Sequence, residues 1–172
     1  MNSISSFKHF VDIFKGRRPL NVWSILIGLL WICNGKVVMG ATSTWNGAVN
    51  QNFNTSSNWT AGVPTDNAGF SNAAPFSVNV STHVALNSVT FNGGGSSYAI
   101  NVLQKVNVDL NGAGVVNNSS NGQTFNIVGG TLNFNNTSVA GNAVYNLSSV
   151  VFDRGIVNFN NSSSASNATL NV

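Results

Sequence analysis

The sequence predicts an all-β fold, a parallel β-helix whose coils stack into a solenoid, preceded by an N-terminal signal helix. Three observations lead there. The run Asn133-Phe134-Asn135-Asn136-Thr137-Ser138-Val139-Ala140-Gly141-Asn142-Ala143 returns 25 residues later as Asn158-Phe159-Asn160-Asn161-Ser162-Ser163-Ser164-Ala165-Ser166-Asn167-Ala168. A fixed period between 20 and 50 residues marks units that bury their apolar faces by stacking. Composition agrees: 30 of 172 residues are Asn, none is Glu, and only 6 % are charged. Asn, Gly, Ser and Thr favour turns while Val, Phe and Thr favour strands, and no helical pattern of ten residues interrupts the exported part. Short alternating runs bounded by such turns supply the third observation.

Residues 1–41 read as an export signal with an extended basic first region. Lys8, Lys15, Arg17 and Arg18 precede twelve largely apolar residues, 22–33, carried by Val22, Ile25, Leu26, Leu29, Leu30 and Ile32. Small residues follow at Gly40 and Ala41, the expected cleavage region. Twelve residues fall short of the roughly 20 that span a bilayer. An uncleaved anchor is the rival reading, reached if Val37, Val38 and Met39 prolong the helix past Lys36, a costly charge within a membrane. Arg17-Arg18 also invites a twin-arginine reading, poorly flanked by Gly16 and Pro19. Phe7, Phe10, Val11 and Phe14 fall at helical spacing, so the basic region has an amphipathic pattern.

The only cysteine, Cys33, lies within that signal, which excludes a disulfide-stapled exported domain. The formal charge of +3 is also a property of the leader, since five of the seven Lys and Arg residues precede residue 41. Beyond it Lys105 and Arg154 face Asp66, Asp109 and Asp153. A nucleic-acid surface needs clustered cations, so no nucleic-acid partner is expected.

Residues 42–75 read as an N-terminal cap. Trp45-Asn46-Gly47 and the run from Asn58-Trp59 through Pro64 to Phe70 concentrate large aromatics where a solenoid has to cover its first coil against edge-to-edge pairing. Trp45, Trp59, Pro64 and Phe70 are the expected cap residues. The competing reading makes Trp45, Trp59 and Tyr98 platforms that stack on sugar rings.

Residues 76–172 read as solenoid repeats. Strands are expected at 78–80, 84–91, 98–103, 106–110, 125–128, 132–134, 144–147, 156–159 and 168–172. The window Thr131 to Leu147 matches Ile156 to Val172 at nine of seventeen positions. Phe134, Phe159, Ala143 and Ala168 are the expected repeat core. Val157 and Phe159 should point inward and Asn158 and Asn160 outward, where the amides either form ladders along the stack or are solvated at turns. About 130 exported residues at this period make about five coils, roughly 25 Å at about 4.8 Å per coil.

Taken together, the Trp-Asn-Gly start, the Asn-Trp-x-x-Gly-x-Pro-x-Asp-x-Ala-x-Phe run with Asp66, Ala68 and Phe70, and the Phe-Asn-Asn-x-Ser-x-Ala-x-Asn-Ala repeats resemble the amino-terminal part of bacterial autotransporter passengers, including those with autotransporter-associated β-strand repeats. The resemblance covers residues 42–172. It implies a right-handed β-helix displayed on the outer surface of a Gram-negative cell and delivered by a carboxy-terminal transmembrane β-barrel. No barrel is encoded before Val172. A gene fragment, a truncated reading frame and one subunit of a split system are the alternatives.

Chemistry is sparse. Asp66, Asp109, Asp153, His83, Lys105, Arg154, Tyr98 and Tyr145 are the titratable side chains of the exported part, and no catalytic, cofactor-binding or metal-ligating set is expected among them. Asp109-Leu110-Asn111-Gly112 opens like a calcium loop but lacks later acidic ligands and reads as a turn. Gly93-Gly94-Gly95 lacks the Lys and helix of a phosphate loop. The expected function is therefore a non-enzymatic passenger stem or adhesin fragment at the cell surface or outside the cell. Its partners would be the export machinery, a translocator barrel and a host-surface or glycan ligand. The alternatives are a small secreted carbohydrate-binding module and a membrane-anchored periplasmic protein.

Overall fold

The computed structural model describes residues 42–172. The signal helix, its apolar positions and the cleavage residues Gly40 and Ala41 lie outside the described residues. The described part is an all-β parallel solenoid of about five turns with almost no helix. Its strands are β1 (Ser43–Thr44), β2 (Asn67–Phe70), β3 (Ser77–Val80), β4 (Val84–Phe91), β5 (Ala99–Val102), β6 (Asn107–Asn117), β7 (Thr124–Val128), β8 (Thr131–Phe134), β9 (Val144–Ser148), β10 (Ile156–Phe159) and β11 (Thr169–Asn171). One sheet runs β1-β2-β4-β6-β8-β10 and the other β3-β5-β7-β9-β11, every pair parallel.

The larger sheet holds two rows rather than one. β2 pairs with the second half of β4, Asn67 opposite Ser88, whereas β8 pairs with the first half of β6, Thr131 opposite Asn107. A register shift between Leu86 and Ser88 marks where the chain bends. Each turn therefore contributes three extended segments, and the bridges Gly114 to Val139 and Val139 to Ser164 continue the row that β2 begins. The bend in β6 depends on Gly114, which has φ +81° and where a Cβ would lie 2.2 Å from the Val139 carbonyl oxygen.

The 25-residue repeat is the stacking register itself. Ile156 lies on Thr131, Phe159 on Phe134 and Thr169 on Val144. Other pairs depart from it, Thr124 with Val144 and Asn67 with Ser88, while Ser43 with Ala68 and Ala99 with Thr124 keep it. Connections of unequal length hide the period in the first three turns. The corner residues repeat as well, since Asn136 and Asn161 both have φ +57°, a left-handed conformation that Asn tolerates better than most residues.

Alternation sends one face of each strand inward. Val78, Val102, Leu110, Ile127, Leu132 and Phe134 are fully or almost fully buried. Phe134 stacks on Phe159 with centroids 5.1 Å apart and planes 11° apart, and Phe125 stacks on Tyr145 at 5.1 Å and 15°. Burial of each such ring contributes about 1.5–3 kcal/mol.

The structure adds two strands to those expected and corrects two expectations. β1 and β2 fall within the span read as cap and already pair in solenoid register, Ser43 opposite Ala68. The Asn67-Ala68-Gly69-Phe70 segment does not alternate in sequence because its last three residues are all buried. β6 runs to Asn117 rather than ending at residue 110. Asp109-Leu110-Asn111-Gly112 is consequently part of a strand and not a turn. Gly112 reads as a turn signal, but a Cβ there would sit 2.9 Å from the Asn87 Cβ, so the glycine serves close stacking between turns.

Candidate functional site: capped end and asparagine ladders

The aromatics of residues 45–70 pack into one buried cluster. Trp45 is 1 %, Trp59 4 % and Phe70 1 % exposed, and Pro64 is buried beside them in the chain. Trp45 meets Trp59 edge to face at 5.2 Å, and Trp59 meets Phe53 at 4.7 Å and Phe70 at 5.5 Å. Both indoles find acceptors: Trp59 Nε1 donates to the Phe53 carbonyl at 2.6 Å and Trp45 Nε1 to the Pro75 carbonyl at 3.2 Å. Gly47, in the Trp-Asn-Gly start, has φ +59°, and a Cβ there would lie 2.0 Å from the Ala74 carbonyl oxygen. Tyr98 is also buried, at 2 %. None of the three rings considered as sugar platforms has a face open to a ligand.

The polar organiser of this end is Asn58, which in the sequence stands only as the first residue of the Asn-Trp run. Its side chain is fully buried; Oδ1 accepts from the Val49 and Asn50 amides, and Nδ2 donates to Asn50 Oδ1 and the Asn52 carbonyl. Gln123 plays the same part in a later turn. It accepts from the Tyr98 amide at 2.8 Å and donates to the Ser96 and Asn121 carbonyls and the Ser119 hydroxyl. In sequence Asn58 looks like an ordinary turn former and Gln123 like an ordinary surface amide, and only burial distinguishes them.

Outward positions of the strands carry amide ladders. In the smaller sheet Asn101 Nδ2 donates to Asn79 Oδ1 at 2.8 Å, Asn126 to Asn101 at 2.8 Å, Asn146 to Asn126 at 3.0 Å and Asn171 to Asn146 at 2.8 Å. On β6, β8 and β10, Asn158 donates to Asn133 and Asn133 to Asp109, and one residue past β10 and β8 Asn160 donates to Asn135 and Asn135 to Asn111. Solvation at turns, the plainer alternative for these residues, is thereby replaced by ladders along strands. Each of these rungs donates toward the N-terminal turn, whereas Asn117 Nδ2 donates the other way, to Asn142 Oδ1. A carboxylate only accepts, so Asp109 at the head of its ladder imposes that direction.

The other candidate acids are occupied in the same way. Asp66 accepts from Asn87 and Asn67, and Asp153 from Gln104 Nε2. His83 Nε2 lies 3.7 Å from Asp109 Oδ2. Among the described residues no three His, Cys, Asp or Glu side chains gather where an ion could sit. The two phenols are inside. Burial pushes the Tyr98 hydroxyl up from its ordinary range, partly offset by its hydrogen bond with Ala73, and burial pushes Tyr145 far higher. Tyr145 donates to the Ala140 carbonyl at 2.6 Å.

The repeat-core residues fall together. Phe134 and Ala143 are fully buried, and Phe159 and Ala168 pack against the core from the last turn. The chemistry on offer is thus a regular outward array of amide donors and acceptors over a buried aromatic stack that includes the tryptophans of the first turn. No family model, curated protein or solved structure matches the chain.

Proposed function

We propose that this chain is a non-enzymatic autotransporter-type passenger segment, a rigid right-handed β-helical stem that is exported and displayed at the cell surface or released from it. The observation that supports the reading is the unbroken parallel stack in which the acids accept from side-chain amides of other turns. Such a surface has few free groups for acid-base work and many for mechanical cohesion between turns. Export machinery acts on residues 1–41, a β-barrel translocator carries the stem outward, and the eventual partner is a host-surface or glycan ligand.

The stem reading is tested by expressing the full chain in a Gram-negative cell with a translocator barrel fused after Val172. Expected are a mature N-terminus after Gly40 or Ala41 and digestion by protease added to intact cells. An uncleaved, membrane-retained product that protease reaches only after the outer membrane is opened would sink it in favour of an anchored periplasmic protein.

A further inference from the structure

We infer that the connection between β9 and β10 is a membrane-contacting tip that inserts Val151 and Phe152 into an anionic phospholipid surface. This connection holds seven residues where the equivalent one between β7 and β8 holds two. The extra length forms a tight hairpin in which Val150 and Asp153 exchange backbone hydrogen bonds of 2.8 Å each. At its apex Val151 is 82 % and Phe152 95 % exposed, the one place among the described residues where two large exposed apolar side chains are consecutive. Val151 has φ +47°, a conformation that a β-branched residue adopts only when its surroundings impose it. Strain of this kind marks sites kept for a purpose beyond folding.

The hairpin is fixed at its base. Gly155 and Gly129 both donate to the Ser148 carbonyl, at 2.9 and 3.1 Å, and Gln104 donates to the Asp153 carboxylate. The Lys105 amide donates to the Gly129 carbonyl at 3.0 Å, which brings three successive turns to one corner. Lys105 and Arg154, the two cations of residues 42–172, are both exposed there. Asp153, the acid of the same hairpin, is turned to Gln104.

Size selects the occupant. Two side chains bring roughly 300 Å² at most, against about 800 Å² per partner in a stable protein interface. An aromatic tip flanked by cations instead matches the headgroup layer of an anionic bilayer, where aromatic rings settle and Lys and Arg are attracted.

The test reads the tip itself, so that lipid binding by the leader does not obscure it. The full chain with Cys33→Ser carries an environment-sensitive label at Ser149→Cys, beside the tip, or at Ser120→Cys, on the connection between β6 and β7. Vesicles of equal parts phosphatidylcholine and phosphatidylglycerol carry a headgroup-level nitroxide quencher. Expected is quenching at position 149 and not at 120, weakened about tenfold by Val151→Ser with Phe152→Ser. Lys105→Gln with Arg154→Gln should weaken it on these vesicles and leave the residual signal on pure phosphatidylcholine unchanged. Equal response of both labels, or quenching indifferent to the serine substitutions, overturns the proposal. Absence of quenching at position 149 also overturns it.

Discussion

Truncating Phe134 to alanine should separate a stacked aromatic core from a fold held by its backbone and amide ladders. Phe134 is fully buried, lies on Phe159 at 5.1 Å and meets Tyr145 edge to face at 5.9 Å. Strands on both sides, β6 and β10, hold its own strand at fixed spacing. The walls of the resulting cavity have little freedom to collapse, because any inward shift breaks hydrogen bonds on two ladders. The cost should therefore fall in the upper part of the range for Phe→Ala, about 4 kcal/mol. Phe159→Ala is the internal comparison. That ring is only partly buried and has a neighbouring turn on one side, so about 1.5–3 kcal/mol is expected. Urea unfolding followed by far-ultraviolet circular dichroism gives both values, with the midpoint moving and the slope unchanged. Equal losses for the two variants, or a loss below about 2 kcal/mol for Phe134→Ala, would refute the argument that stacking makes the inner site rigid.

Three further outcomes follow from the same geometry. Asn126→Ala removes one donated and one accepted ladder bond; since the freed neighbours are partly hydrated, a loss of about 1–2 kcal/mol is expected in the same urea assay. Gly114→Ala should cost more than about 2 kcal/mol, because it combines φ +81° with a Cβ 2.2 Å from the Val139 carbonyl oxygen; unchanged stability there would contradict the tight bend in β6. Stability should be independent of tyrosine ionisation below the ordinary value of 10 and fall above it, since the unfolded chain then loses phenolic protons that burial makes Tyr98 and Tyr145 retain. Tyr145→Phe should flatten that decline in urea titrations at successive pH values, although it also loses the bond to Ala140.

Much of the architecture was legible because it repeats. When one turn is laid on another, residues 25 apart meet the same neighbours, so selection for stacking writes like on like: Phe134 under Phe159, Asn133 under Asn158, Ala143 under Ala168. Alternation also placed the edges of β10, whose inward and outward positions differ cleanly, and of β4, where it breaks only at Ser88 and Val89, beside the bend that follows Leu86. The first turns were less readable. β2 buries three consecutive residues, and β6 carries glycines that resemble turn signals but permit close approach of adjacent turns.

By itself the sequence determined an all-β stacked fold, its period in the last turns, and the scarcity of titratable groups in residues 42–172. Those are properties of spacing and composition, which a linear text contains. Only the tertiary structure decided which asparagines become ladder rungs, that Asn58 and Gln123 are buried organisers, and that Trp45, Trp59 and Tyr98 turn inward. It alone gathered Lys105, Arg154 and the Val151–Phe152 hairpin at one corner. Such neighbours are set by how many residues each connection spends between stacked strands, and the described residues, with almost no helix, spend them unevenly.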